Sequence, residues 1–275
     1  MSGHHLCRLL LFAPLVTLLM SCDGEDAPVN PWKGVPEPLS CLGEGSDTYA
    51  EDGPFSYTTE QSGDFTFYLP KTPEGCAGPA VAFAMGSTIK PVVYEEFYKS
   101  FASWGIAVAV DPNGGSGRAE TLTAALDSLY AAHGHRLGKA GLIGHSQGGY
   151  GAINASVHPR VEALVGMLSG QFARGGNYSL PFLGLAAEKD LFGSFTDEMN
   201  KHYPLFTGPK FYGMQKDIGH ETFDKGSRGD NFRFAAQAWF RCYLAGDRRA
   251  CSIFAPATCE NLPGEWMNCT GENLP

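Results

Sequence analysis

Ser146 stands in Gly144-His145-Ser146-Gln147-Gly148, the only Gly-x-Ser-x-Gly of the chain, after an apolar stretch at 141–144 and before a run of small residues over 147–157. A serine hydroxyl is a weak nucleophile until a base removes its proton, and that base needs a carboxylate to orient it. A tight strand-to-helix turn lifts such a hydroxyl above a sheet, and flanking glycines remove the Cβ atoms that would clash there. The pattern therefore predicts acyl-transfer chemistry at Ser146, with its partners further along the chain.

On that strand-turn-helix plan the carboxylate and then the histidine follow the serine in sequence. Three of the eight histidines come after Ser146: His158, His202 and His220. His158 follows too closely, and His202 lies in a polar stretch that reads as surface. His220, in Asp217-Ile218-Gly219-His220-Glu221, follows the strand expected at 210–214 and is the candidate base. For the acid, Ala187-Glu188-Lys189-Asp190 ends the preceding strand and Asp190 is the choice. Glu188 is the alternative, Asp217 sits on the wrong loop, and Asp197 reads as solvated. A tetrahedral intermediate also needs two main-chain N–H donors. Gln147, directly after the nucleophile, and Ser87, in the loop Met85-Gly86-Ser87-Thr88, are the candidates.

The elements that must position these residues alternate in kind. Apolar or β-branched runs at 65–69, 80–85, 106–110, 141–144, 163–167, 181–186 and 210–214 read as strands. Between them, helical periodicity appears after Pro91 (Val93, Phe97, Phe101), around Leu122, Leu126 and Leu129, over 147–157, and over 231–244. Strands that are continuously apolar call for a sheet covered on both faces, so the fold class is α/β with a mostly parallel, twisted sheet.

The first residues read differently. Residues 9–20 form an apolar run too short to span a bilayer, which predicts a signal peptide over 1–21. Leu19-Met20-Ser21-Cys22 resembles a bacterial lipobox, which implies lipidation of Cys22 and a membrane anchor on an exported protein. Residues 22–48, rich in Pro, Gly and acidic side chains, read as a flexible tether, leaving 49–275 as the catalytic domain. Export leaves six cysteines in an oxidising compartment, and their clustering suggests Cys41 with Cys76, Cys242 with Cys251, and Cys259 with Cys269. No C-x-x-C pair occurs and no His lies among the last four cysteines, so a metal is not expected, and Ser-His-Asp chemistry implies no organic cofactor. A formal net charge of −9 with no run of Lys or Arg predicts no nucleic-acid partner. A monomer acting on an ester is expected.

From about residue 65 to 269 the chain resembles the lidless bacterial α/β-hydrolases of the cutinase and poly(ethylene terephthalate) hydrolase group, near the chlorophyllase-like and platelet-activating-factor acetylhydrolase-like esterases. Gly86-Ser87-Thr88 resembles that family's Gly-Tyr-Thr oxyanion loop. Ser146, Asp190 and His220 match its nucleophile, acid and base, and Gln147 stands where its polyester hydrolases carry Met. Ala238-Trp239 and the ending with Cys259 and Cys269 resemble its C-terminal helix and disulfide. The resemblance implies an α/β-hydrolase fold and ester hydrolysis. It departs where the polyester hydrolases grip an aromatic acyl group: Ser87 replaces a Tyr, and Phe172 is the nearest aromatic to an expected Trp. His145 beside the nucleophile is the version of lipase-like members. Phe172 and His145 are thus expected to line the substrate site of a general carboxylesterase or lipase. The rival readings are a peptidase on the same scaffold and a surface lipoprotein that binds a ligand without turnover.

Overall fold

Alternate residues of the central strands differ in size, and the difference decides which helices cover which face. The computed structural model describes residues 32, 34–45, 49, 51–112, 118–169, 175–192, 194–221 and 229–275. The strands are β1 (Tyr57–Ser62), β2 (Phe65–Pro70), β3 (Gly78–Ala84), β4 (Ala107–Val110), β5 (Leu137–His145), β6 (Val161–Met167), β7 (Phe182–Ala187), β8 (Lys210–Gln215) and β9 (Trp266–Glu272). The helices are α1 (Glu95–Ser103), α2 (Ala119–His133), α3 (Gln147–Ala155), α4 (Ser194–His202), α5 (Gly229–Ala245) and α6 (Arg248–Ser252). The strands form one nine-stranded sheet in the order β1-β2-β4-β3-β5-β6-β7-β8-β9. It is parallel from β4 to β8, while β1, β2 and β9 join antiparallel.

Val81, Phe83, Val108, Val110 and Ile143 face the layer holding Phe97 and Phe101 of α1 and Trp239 and Phe240 of α5. Ala80, Ala82, Ala84, Ala107 and Ala109 face Leu122, Leu126 and Leu129 of α2 and Ala152 and Ile153 of α3. Small side chains on the second face let α2 and α3 sit close to the sheet, and large ones on the first fill the space under α1 and α5. The α/β architecture with a mostly parallel sheet thus matches the sequence pattern. Sequence reasoning missed the two outermost strands. β1 carries mostly exposed polar residues, and β9 alternates exposed with half-buried ones. Neither has the apolar run that marks a buried strand.

The compact body begins at Trp32, so the expected tether boundary at 48 is corrected. Residues 34–45 are bound to it by specific contacts: the Leu39 N–H donates to the Ala245 carbonyl at 2.9 Å, and Leu42 is buried. Beneath them, Arg241 of α5 donates to the carbonyls of Leu42, Gly43 and Trp104 and, through Nε and Nη2, to Asp247 Oδ2 at 3.0 and 2.8 Å. The Tyr49 hydroxyl donates to the same oxygen at 2.9 Å. A guanidinium this buried is tolerable only with its charge and donors matched: Asp247 matches the charge, and the arm supplies two of the carbonyl acceptors. The three cysteine pairs suggested by clustering lie at bonding distance, with Cα separations of 5.8 Å for Cys41–Cys76, 4.8 Å for Cys242–Cys251 and 5.3 Å for Cys259–Cys269. Among the described residues no helix is long and apolar enough to cross a membrane. The expected signal peptide and the expected lipidation site, Cys22, lie outside the described residues.

Candidate active site

The sheet order creates the place where a site can form. From β3 the chain crosses to β4 on one side and later returns to β5 on the other, so the loops leaving the C-terminal ends of β3 and β5 diverge. Such a switch point opens a crevice above the strand ends. Ser146 stands at that edge, between β5 and α3, with φ 55° and ψ −123°. Positive φ costs a residue with a Cβ of order 1–3 kcal/mol, so the surroundings must impose it. They do so by close packing: a Cβ on Gly144 would lie 2.1 Å from the Gly148 carbonyl oxygen, and one on Gly148 would lie 2.3 Å from that of Ala84. The Ser146 N–H also donates to the Met167 carbonyl at 2.9 Å, fastening the turn to β6.

His220 and Asp190 converge on this hydroxyl. Ser146 Oγ lies 2.9 Å from His220 Nε2, and His220 Nδ1 lies 2.9 Å from Asp190 Oδ2. The side chains of His220 and Asp190 are 7% and 2% exposed, so water does not compete for these bonds. The other carboxylate oxygen, Asp190 Oδ1, accepts the Phe192 N–H at 2.9 Å. Glu188, the alternative acid, has a different task. Its Oε2 accepts the Asp217 N–H at 3.0 Å, while the main-chain N–H groups of Glu188 and Lys189 donate to Gln215 and Ile218. These bonds staple the loop carrying His220 to the loop carrying Asp190. Asp217 pairs with Lys189 at 2.6 Å, away from the imidazole, and Asp197 is exposed. His158 pairs with Asp127 at 3.1 Å. His202, expected on the surface, is fully buried on α4 and is corrected accordingly: its polar sequence neighbours point outward while it faces the body.

The loop after β3 supplies the opposite wall. The Ser87 hydroxyl donates to Gln147 Oε1, so the two residues expected to present N–H donors are tied by their side chains. Gln147 opens α3, where a main-chain N–H has no acceptor within its own helix. A charge developing on an oxygen between Ser87 and Gln147 would therefore meet main-chain donors and the positive end of α3. The arrangement can deprotonate a serine hydroxyl, hold the resulting imidazolium against a buried carboxylate, and stabilise an oxyanion.

Of the residues expected to line the substrate, Phe172 lies outside the described residues. His145 is fully buried, and its expected contact with substrate is corrected: the ring lies below the site, against the Tyr94 hydroxyl and the His220 ring. Burial, followed by the neighbouring His220, holds its pKa well below the usual histidine value. The aromatic at the site that sequence reasoning missed is Phe192. It is 54% exposed, and its ring meets the His220 ring edge-on at 5.0 Å. Leu191 beside it is 94% exposed. Their position two residues and fewer after the acid was the available signal. Among the described residues no cluster of three or more His, Cys, Asp or Glu could hold a metal ion. Compared with known proteins, the chain matches no family model and no curated protein.

Proposed function

We propose that this chain is an exported serine hydrolase of carboxylic esters, built on the α/β-hydrolase fold. The observation that carries the reading is the continuous hydrogen-bonded chain from Ser146 Oγ through His220 to Asp190 at the C-terminal edge of a switch point. Ser146 Oγ attacks the ester carbonyl carbon as its proton passes to His220 Nε2. The carbonyl oxygen becomes an oxyanion held by the N–H groups of Ser87 and Gln147. Collapse breaks the bond to the alcohol, which leaves with the proton from Nε2. Water then repeats the sequence on the acyl-enzyme and releases the acid.

Two exposed side chains support a substrate class. Leu191 and Phe192 place an exposed apolar pair beside the base, which favours an ester with an apolar acyl chain or alcohol, as in a lipase- or cutinase-like carboxylesterase. Three disulfides favour an oxidising compartment. With the lipobox-like Leu19-Met20-Ser21-Cys22 they support a lipid-anchored protein at a bacterial membrane, periplasmic or at the cell surface.

The test is turnover of p-nitrophenyl esters from acetate to palmitate by wild type and Ser146→Ala. Turnover that vanishes in the variant is expected, with a preference for medium or long chains. A folded, disulfide-bonded protein with no activity on any ester would refute the reading. An unmodified N-terminus upstream or downstream of Cys22 in the mature protein would refute the anchor.

A further inference from the structure

His145 and Tyr94 are fully buried beside the site. Tyr94 closes the short 3-10 turn Pro91–Tyr94 that leads into α1, and its ring packs on Phe83 of β3 with centroids 5.1 Å apart. Its hydroxyl accepts the Gly86 N–H at 3.2 Å and lies 2.6 Å from His145 Nδ1. A phenol has one proton to give. With the amide already donating to that oxygen, the hydroxyl proton goes to Nδ1, so His145 is an acceptor there and carries its own proton on Nε2. The ring of His145 also bonds the main chain of His220. The imidazole thus spans from the oxyanion loop to the base loop, within 4.7 Å of the His220 ring.

The oxyanion loop rests directly on this ring. A Cβ on Gly86 would lie 2.8 Å from His145 Nδ1, so only glycine lets the loop come this close. Gly86 immediately precedes Ser87, and the orientation of one peptide unit constrains the next. A shift of the tyrosine hydroxyl would therefore turn the Ser87 N–H away from the oxyanion.

We propose that Tyr94 and His145 are positioning residues which set the Gly86-Ser87 peptide and the main chain of His220 at fixed distances from Ser146. The proposal rests on the serine-hydrolase reading for its kinetic consequence, but its structural content stands alone. The charge state matters as well as the shape. During acylation His220 becomes cationic, and a neutral neighbour adds no repulsion. The titratable groups facing His145 are Tyr94, from the turn before α1, and His220, from the loop after β8. Glu221 acts on Tyr94 and Asp190 on His220. Burial raises the Tyr94 hydroxyl well above the usual tyrosine value, so it keeps the proton it donates.

The experiment joins nitrogen-15 histidine NMR of wild type and Tyr94→Phe with their steady-state kinetics on one p-nitrophenyl ester. In the wild type, His145 is expected as the neutral Nε2–H tautomer from pH 8 down to pH 5, with Nδ1 showing an accepted hydrogen bond. Tyr94→Phe keeps the ring and its packing but removes the hydroxyl. It is expected to abolish that Nδ1 signature and to lower kcat by about 10–100-fold with KM within twofold, the pattern of lost oxyanion alignment rather than lost binding. An Nδ1–H tautomer, a His145 that titrates between pH 5 and pH 8, or a Tyr94→Phe enzyme with wild-type kcat would overturn the proposal. A rise in KM alone would do the same. If the wild type hydrolyses no ester, the proposed function fails, while the NMR comparison still decides the hydrogen-bond network. If Tyr94→Phe does not fold, the wild-type tautomer and its pH course decide it.

Discussion

Replacing Asp190 by Asn tests the acid with a magnitude that follows from two hydrogen bonds. Asp190 Oδ1 accepts the Phe192 N–H and Oδ2 accepts from His220 Nδ1, both at 2.9 Å. An asparagine has only one oxygen, and the Phe192 N–H can face nothing but an acceptor. The amide oxygen therefore goes to Phe192 and the NH2 group to His220 Nδ1. That forces the imidazole proton onto Nε2, the nitrogen that must take the Ser146 proton. A base locked in the wrong tautomer costs about 10⁴-fold in kcat, equivalent to about 5.5 kcal/mol of transition-state stabilisation. The control is Glu188→Gln, in which an amide oxygen can still accept the Asp217 N–H, so a change of less than about threefold is expected. Initial rates on a p-nitrophenyl ester, with circular dichroism to establish folding, give both numbers. If Asp190→Asn stays within tenfold of wild type, or if Glu188→Gln loses the larger factor, the assignment of the acid is wrong.

Removing Arg241 leaves the Asp247 carboxylate buried with, among the described residues, Tyr49 and the first N–H groups of α6 for partners. Arg241→Met is therefore expected to cost about 3 kcal/mol and lower Tm by about 6–12 °C, read by thermal melting; an unchanged Tm would refute the keystone role of this ion pair. Cutting the Cys41–Cys76 link, which spans 35 residues, is expected to cost about 4 kcal/mol. Cys41→Ser/Cys76→Ser should show this in urea unfolding, and a smaller loss than for Cys242→Ser/Cys251→Ser would contradict the loop-length argument. Finally, the folded pKa of His145 is depressed, so as pH falls below about 6.5 the unfolded chain binds a proton that the native one refuses. Stability is full above that value and falls toward acid by up to about 1.4 kcal/mol per pH unit from this group, a slope that His145→Gln should remove in unfolding curves between pH 7 and pH 5.

Sequence by itself determined the alternating elements and the order of the chemical groups. Near-continuous runs such as 80–85 and 163–167, bounded by turn residues, read as strands covered on both faces, and a Gly-x-Ser-x-Gly after the run at 141–144 reads as a tight strand-to-helix turn. These are local properties, set by period and by the space a Cβ needs. The edge strands β1 and β9 carry no such mark, because partners rather than apolar faces define them.

Only the tertiary structure decided between neighbours. Glu188 and Asp190 stand two residues apart on one turn, and their separate tasks depend on how that turn is stapled to Gln215 and Ile218. His145 looks like a residue of the cleft from its place beside Ser146, yet the return of β3 and the turn at Tyr94 bury it. The polar stretch 34–45 reads as a tether until Arg241, about 200 residues away, is found with its donors aimed at the carbonyls of Leu42 and Gly43. Hydrogen bonds between distant segments leave no period in the chain, so the partner that buries or orients a polar group is visible only once the sheet has brought both together.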